Sequence, residues 1–146
     1  MNTKSLVPDA HTDTPSGSQA RRRMPGATVI AGGFYLVMGG IHIGIVAADT
    51  ATYRHFADGA LLGFVRSGWS DLFMAHPATW GLLLAAGEIT LGALLLTGGA
   101  LARWGWTAVA AFQVLLMLFG WGFWLWSVPA LAVIYLGARR DWVTLQ

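Results

Sequence analysis

The chain has 146 residues, of which 55% are hydrophobic and only 11% charged, and it carries a net charge of +2 with a mean hydropathy of +0.57. This length allows one domain, and the composition lies far from that of soluble proteins, so the sequence predicts an integral membrane protein. The basic residues stand at the ends of the apolar runs rather than on one face, which argues against nucleic-acid binding. The absence of cysteine excludes disulfides, thiolate metal sites and a thiol relay within this polypeptide.

The first 25 residues are polar, rich in Ser, Thr, Asp and Pro, and close with three arginines at 21–23. This composition predicts a disordered cytoplasmic tail. Residues 27–48 then form an apolar run of roughly 20 residues, which is long enough to cross the hydrocarbon core. A cleaved signal peptide is the alternative, but its apolar region is only about 7–15 residues long and would seldom hold a central His42.

Three further apolar runs predict three more spanning helices, at about residues 78–99, 104–120 and 123–138. Paired glycines weaken helix propagation, so residues 98–103 are predicted to form a short loop and residues 120–122 a tight turn or kink. We place Pro129 close to the start of the last helix, where its missing N–H costs little.

These runs together predict an all-α protein, a polytopic four-helix transmembrane bundle over residues 26–139 with a cytoplasmic C-terminal tail at 140–146. Basic residues near the helix ends divide unequally, with only Arg54 and Arg66 on the side of the long connection. Because cytoplasmic loops carry an excess of Lys and Arg, we predict a cell-membrane protein with both termini inside. The remaining seven lie on the side of the termini: Lys4, Arg21, Arg22, Arg23, Arg103, Arg139 and Arg140.

The only long connection, residues 49–77, is predicted on the outer side and contains an apolar stretch at 53–66. Residues of that stretch recur at helical spacing, which predicts a short helix that lies in the interface or caps the bundle, with a partly ordered loop as the alternative. As a lid over the bundle, the helix would bring Arg54 or Arg66 near an anionic ligand or a bound head group. The residues at helical spacing are Phe56, Gly59, Ala60 and Gly63.

Glu88 is the only glutamate of the chain and lies near the middle of the second apolar run. Its helical neighbours Gly81, Ala85 and Gly92 form a small-residue face, so Glu88 is predicted to point into the bundle. Ionisable groups at bilayer depth are costly, and we therefore interpret Glu88 as a proton-transfer or ligand-binding residue. The alternative is a buried hydrogen bond that locks two helices together.

His42 is the second ionisable residue within an apolar run, and Tyr35, His42 and Asp49 recur every seven residues, so that all three are predicted to face the same way. Such a stripe can relay a proton or orient a bound head group, with interhelical hydrogen bonding as the alternative. We predict that His42 and Glu88 line one cavity. The glycines at 40 and 44 have the GxxxG spacing that would let a neighbouring helix pass close to His42.

Gln113 lies at about the depth of Glu88 and is a candidate hydrogen-bond partner for it, with a structural role favoured. Ser127 and Tyr135 are weaker candidates for a polar lining, since Ser in a membrane helix commonly bonds its own backbone. Four scattered histidines without cysteine specify no metal site, and a haem ligated by His42 is the less favoured cofactor.

Residues 85–103 contain Glu88, then a glycine, a leucine run, a glycine pair and Arg103, and residues 39–42 read Gly-Gly-Ile-His. This pattern resembles the DoxX-like family of small four-helix integral membrane proteins, with His42 where much of that family has Lys. The resemblance implies an accessory component of a membrane redox complex, quinone-linked, that binds a small hydrophobic ligand or recruits membrane or soluble redox subunits. A noncatalytic scaffold or assembly factor is the main alternative, followed by a small proton-coupled transporter.

Overall fold

The computed structural model describes residues 26–143, so the predicted tail at 1–25 and the last three residues lie outside the described part of the chain. Within that part there are helices and turns but no strand. Four helices are long and apolar enough to cross a membrane. The predicted class, an all-α four-helix membrane bundle, is thereby confirmed.

The four long helices are α1 (Gly26–Ala48), α3 (Pro77–Thr97), α4 (Gly99–Leu116) and α5 (Trp121–Val143). A short helix α2 (Gly63–Gly68) lies in the connection between α1 and α3. The four pack in a closed ring, because α1 contacts α3, α3 contacts α4, α4 contacts α5, and α5 returns to α1. Their outward faces carry large apolar side chains such as Ile30 and Leu125, which are 75% and 83% exposed and suited to contact with lipid.

The closest helix contact in the bundle joins α1 to α3. A Cβ atom on Gly39 would lie 2.9 Å from the carbonyl oxygen of Ala85, and one on Gly92 would lie 2.7 Å from that of Gly32. Small residues therefore let the two backbones approach, as is common in membrane helix pairs. The prediction that the glycines at 40 and 44 form this contact is wrong, because both are exposed and a Cβ atom on either would meet nothing within 4 Å.

The small-residue face predicted around Glu88 is confirmed. Gly81, Ala85, Glu88 and Gly92 are all buried on α3, at the spacing that places them on one side of a helix. This face is turned to α1, so Glu88 points into the protein rather than into lipid.

The predicted loop at residues 98–103 is wrong, because α4 already begins at Gly99. Gly98 and Gly99 have positive φ angles of 75° and 60°, a backbone conformation that glycine adopts without steric cost. The chain therefore reverses within two residues. The alanines of the first turn of α4 favour helix formation. Gly120, with a φ of 112°, turns the chain before α5, but Trp121 and Gly122 of the predicted turn already belong to that helix.

Pro129 lies inside α5 rather than in its first turn, so its predicted position is wrong. The helix begins at Trp121, directly after the Gly120 turn, and continues to Val143, five residues beyond the predicted end at 138. Proline is tolerated within membrane helices because neighbouring groups satisfy the freed backbone carbonyl. The first residues assigned to the C-terminal tail are therefore helical.

Residues 49–76, which we call the capping segment, lie across one end of the bundle. They form a 3₁₀ helix (Thr50–His55), a turn, α2 and a π-helical turn (Trp69–Phe73), so the single helix predicted across 53–66 is wrong. Between these pieces the chain leaves helical geometry, and there the backbone N–H of Leu61 donates to the carbonyl of Leu118 at 3.1 Å. This bond ties the capping segment to the connection between α4 and α5.

Candidate functional site

A cavity of about 440 Å³ lies between the helices beneath the capping segment. Its lining is almost entirely apolar and aromatic, and all four long helices and the capping segment contribute to it. The lining residues are Met38, His42, Phe56, Trp69, Leu84, Glu88, Phe112, Leu115, Leu116, Phe119, Gly122, Phe123 and Trp126.

The cavity reaches the lipid-facing surface between α4 and α5. Leu115 and Trp126, on its lining, are 58% and 54% exposed, and Gly122 is exposed as well. An apolar molecule dissolved in a bilayer would therefore reach the cavity from the side, without passing through water.

His42 and Glu88 supply the ionisable groups of this lining, and the predicted sharing of one cavity is confirmed. We call these two residues the open pair. Both are buried, with only 6% and 3% of their surface exposed, and His42 Nε2 lies 3.6 Å from Glu88 Oε2. This distance is beyond a good hydrogen bond, and Glu88 Oε2 has no hydrogen-bond partner within the described chain.

Tyr53 of the capping segment holds the other side of the imidazole. Its hydroxyl lies 2.8 Å from His42 Nδ1, and its side chain is completely buried. Gly81 makes room for it, because a Cβ atom there would lie 3.0 Å from the phenolic oxygen. Burial, and then the nearby Glu88 carboxylate, raise the pKa of Tyr53, so the phenol stays protonated at neutral pH and is available as a donor.

Aromatic side chains hold the capping segment over the cavity. Trp69 stacks on Phe73 with ring centroids 3.8 Å apart, packs edge-on against Phe119 of the α4–α5 connection, and donates its indole N–H to the carbonyl of Tyr53 at 2.8 Å. Because Phe56 and Trp69 also line the cavity, the segment forms its roof.

A second polar cluster lies within the bundle but does not line the cavity. Gln113 Nε2 donates to the Tyr35 hydroxyl at 2.9 Å, and Ser127 Oγ donates to Gln113 Oε1 at 2.9 Å. We call these three residues the closed triad, since each is at most 3% exposed and each is hydrogen-bonded. The predicted bond between Gln113 and Glu88 is not formed, because the amide is engaged by Tyr35 on α1 and Ser127 on α5.

The remaining candidate residues lie away from the cavity. Asp49 is exposed beyond the end of α1, and its carboxylate accepts a hydrogen bond from the backbone N–H of Ala51 at 2.8 Å, which makes it a helix cap. Arg66 is exposed and donates to the carbonyl of Ala60 at 3.2 Å, and Arg54 is exposed too. Neither Arg54 nor Arg66 lines the cavity, so the expected approach of one of them to a ligand stays a prediction.

Two residues of the polar framework were missed or undervalued from the sequence. Tyr53 lies in the connection after α1, where it is not part of a helical repeat of apolar residues. A tyrosine shortly after the end of α1 is nevertheless long enough to reach back to His42. Ser127 was placed among the weak candidates, yet its hydroxyl bonds Gln113 rather than its own backbone. Tyr135, its companion in that prediction, is 60% exposed.

The open pair has the donor set of a hydrogen-bonding site for a neutral head group rather than of a metal centre. Within residues 26–143, no three His, Asp or Glu side chains lie together in a way that could hold a metal ion. An imidazole and a carboxyl at the polar end of an apolar cavity can orient an amphipathic molecule and exchange protons with it.

Fold and site together define a small four-helix membrane protein with a roofed cavity that opens toward lipid and ends at a buried His–Glu pair. No protein-family model matches the chain, and neither a curated protein nor a solved structure shows significant similarity to it. The DoxX-like resemblance therefore rests on the sequence pattern around Glu88 and His42.

Proposed function

We propose that this chain is a DoxX-like accessory component of a membrane redox complex and that it binds a small hydrophobic, quinone-type ligand in the cavity at Glu88. The carrying observation is the unpartnered oxygen of Glu88, buried at the polar end of an otherwise apolar cavity. A buried polar atom without a partner costs free energy, and a ligand that bonds it recovers that cost.

The size and lining of the cavity support this proposal. Its volume of about 440 Å³ is within the range of about 300–1,000 Å³ that is usual for small-molecule sites, which are mostly apolar with a few polar groups. Aromatic rings such as Phe112 and Trp69 suit a flat ring, and the opening between α4 and α5 suits a lipid-soluble tail.

The chemistry of the open pair fits a ligand that gains and loses protons. A quinone, when bound, would supply the electron-transfer chemistry, and the chain would hold its head group and move protons at the Glu88 carboxyl and the His42 imidazole. The His42–Tyr53 bond keeps the imidazole facing Glu88.

A noncatalytic scaffold explains buried polar residues as bonds between helices, and the closed triad fits that explanation. The open pair fits it less well, because His42 Nε2 and Glu88 Oε2 lie 3.6 Å apart and Glu88 Oε2 has no hydrogen-bond partner within the described chain. The ligand-binding function is for this reason preferred to the scaffold alone, while recruitment of partner subunits is compatible with both.

The proposed topology places both termini in the cytoplasm and the capping segment outside the cell membrane, on the distribution of basic residues. Reporter fusions test it: a fusion at Gln146 should report the inner side, and one inserted at the exposed Gly59 should report the outer side. The reverse pattern would invert the orientation.

Ligand binding can be tested with a decyl-substituted benzoquinone, since Trp69 and Trp126 line the cavity and a bound quinone should quench their fluorescence. The blocking variant is Gly122→Phe, because Gly122 lines the cavity and a Cβ atom there meets nothing within 4 Å. The matched control is Gly40→Phe on α1, an exposed helical glycine with equally open surroundings that does not line the cavity.

We expect saturable quenching in the wild type and in Gly40→Phe, and none beyond a collisional background in Gly122→Phe. Equal, non-saturable quenching in all three proteins would contradict a quinone site in this cavity.

A further inference from the structure

The gap within the open pair has a definite size and shape. His42 Nε2 and Glu88 Oε2 lie 3.6 Å apart, too far for a good direct hydrogen bond. A single oxygen atom placed beside them can lie about 2.8 Å from both, which is hydrogen-bonding distance. The pair is therefore spaced to share one small polar group from the cavity.

The hydrogen atoms around His42 decide which polar group fits. The Tyr53 hydroxyl lies 2.8 Å from Nδ1 but 3.4 Å from the carbonyl of His42, so we assign its hydrogen to Nδ1. Nδ1 is then the acceptor of the ring, and Nε2 carries the ring hydrogen and offers a donor to the cavity. Glu88 Oε2 has no partner in the described chain, and in the ionised form of the carboxyl it offers an acceptor.

A group that completes this pair must accept from His42 and donate to Glu88 through the same atom. A hydroxyl does both. A ketone or quinone carbonyl accepts only and leaves the ionised Glu88 Oε2 without a hydrogen bond, and an ether oxygen likewise cannot donate to it.

We propose that the site selects a hydroxyl-bearing ring, the class of phenols and of hydroquinone forms, whose hydroxyl donates to Glu88 Oε2 and accepts from His42 Nε2. The inference rests on the proposed function for the location of the site and deepens it by naming the form of ligand that is held. Aromatic lining from Phe112, Phe119 and Trp69 contacts the ring.

The test uses probes that differ only in the polar atom and do not change redox state: a para-alkylphenol, its methyl ether and the matching alkylbenzene. Affinities are measured by calorimetry on the purified full chain in mild detergent, and the decyl-substituted benzoquinone is titrated alongside. We expect the phenol to bind roughly tenfold more tightly than the ether or the alkylbenzene, the difference expected for one hydrogen bond to a buried group.

Variants assign that preference to Glu88. In Glu88→Leu the phenol and the ether should bind alike, whereas Glu88→Gln, whose amide oxygen still accepts, should keep part of the preference. The control Thr90→Val should keep all of it, because Thr90 is exposed on the same helix and bonds only the carbonyl of Ala86. The wild-type comparison needs no variant and stands even where Glu88→Leu fails to fold.

The outcomes separate the two proposals. If the benzoquinone binds in a manner that Gly122→Phe blocks, but phenol and ether bind equally or the quinone binds more tightly than the phenol, the hydroxyl inference is overturned and the proposed function stands. If no probe binds to the wild type, both are overturned.

Discussion

The protein buries two polar clusters, and their hydrogen bonding differs. The closed triad joins α1, α4 and α5 through two hydrogen bonds of 2.9 Å and has no contact with the cavity. The open pair joins α1 and α3 at 3.6 Å without a good bond and faces the cavity directly. In the closed triad each side chain is hydrogen-bonded to another. In the open pair Glu88 Oε2 has no hydrogen-bond partner within the described chain.

Hydrogen bonding distinguishes the two clusters better than burial does. All five residues of the two clusters are at least nine-tenths buried, so depth does not distinguish them. A satisfied buried network rigidifies a protein, whereas a buried group left without a partner calls for an explanation such as a ligand. The contrast supports the proposal that the closed triad stabilises the bundle and that the open pair binds a ligand.

Gln113→Leu should cause the largest loss of stability, because it strands the Tyr35 hydroxyl and the Ser127 hydroxyl together. We expect the free energy of unfolding to fall by about 1–3 kcal/mol, measured by denaturant titration in mixed micelles. Affinity for the benzoquinone should stay unchanged, since Gln113 does not line the cavity. An unchanged stability with a lost affinity would reverse the assignment of the two clusters.

Tyr53→Phe should have an intermediate effect on stability. The change removes one hydroxyl bonded to His42 Nδ1 and keeps the buried ring, so the free energy of unfolding should fall by about 0.5–1.5 kcal/mol. Phenol affinity should fall as well, because the imidazole loses the group that orients it. Tyr135→Phe is the matched control, since that tyrosine is 60% exposed and does not line the cavity, and it should change neither quantity.

Glu88→Leu should change stability least among these buried substitutions, because Glu88 Oε2 has no partner to strand. We expect the free energy of unfolding to stay within about 1 kcal/mol of the wild type or to rise, while affinity for the phenol probe falls roughly tenfold. If Glu88→Leu unfolds as readily as Gln113→Leu, Glu88 stabilises the fold as the closed triad does, and the proposed difference between the two clusters is wrong.

Arg54→Gln should have the smallest effect. Arg54 is exposed and away from the cavity, so both stability and ligand affinity should stay within about 0.5 kcal/mol of the wild type. A large loss of affinity would show that the capping segment rearranges to bring this side chain over the ligand.

The sequence predicts the bundle well because length and apolarity directly define a membrane span, and the spacing of Gly81, Ala85 and Gly92 around Glu88 defines one helix face. The direction of Glu88 and its sharing of a cavity with His42 follow from those two regularities. Both features depend on which face of α1 and of α3 is buried, and the spacing of residues along each helix indicates that face.

The partners within each cluster were harder to predict because they depend on which helices meet. Gln113 has the depth of Glu88 but bonds Tyr35 on α1, since rotation of α4 about its axis is not encoded in its depth. The glycines of the close α1–α3 contact are Gly32 and Gly39, and the more familiar spacing at 40 and 44 faces outward. The roof of the cavity includes a backbone hydrogen bond between Leu61 of the capping segment and Leu118 of the α4–α5 connection, which no local pattern shows.

We propose that the open pair and its cavity hold a hydrophobic ligand in the membrane. Native mass spectrometry of the protein, released from membranes in mild detergent, tests this most directly because it needs no prior choice of ligand. We expect one tightly held apolar molecule on the wild type and on Gly40→Phe and its absence from Gly122→Phe. Identical spectra for all three proteins, with no adduct or with the same adducts on each, would overturn the proposal of a ligand in this cavity.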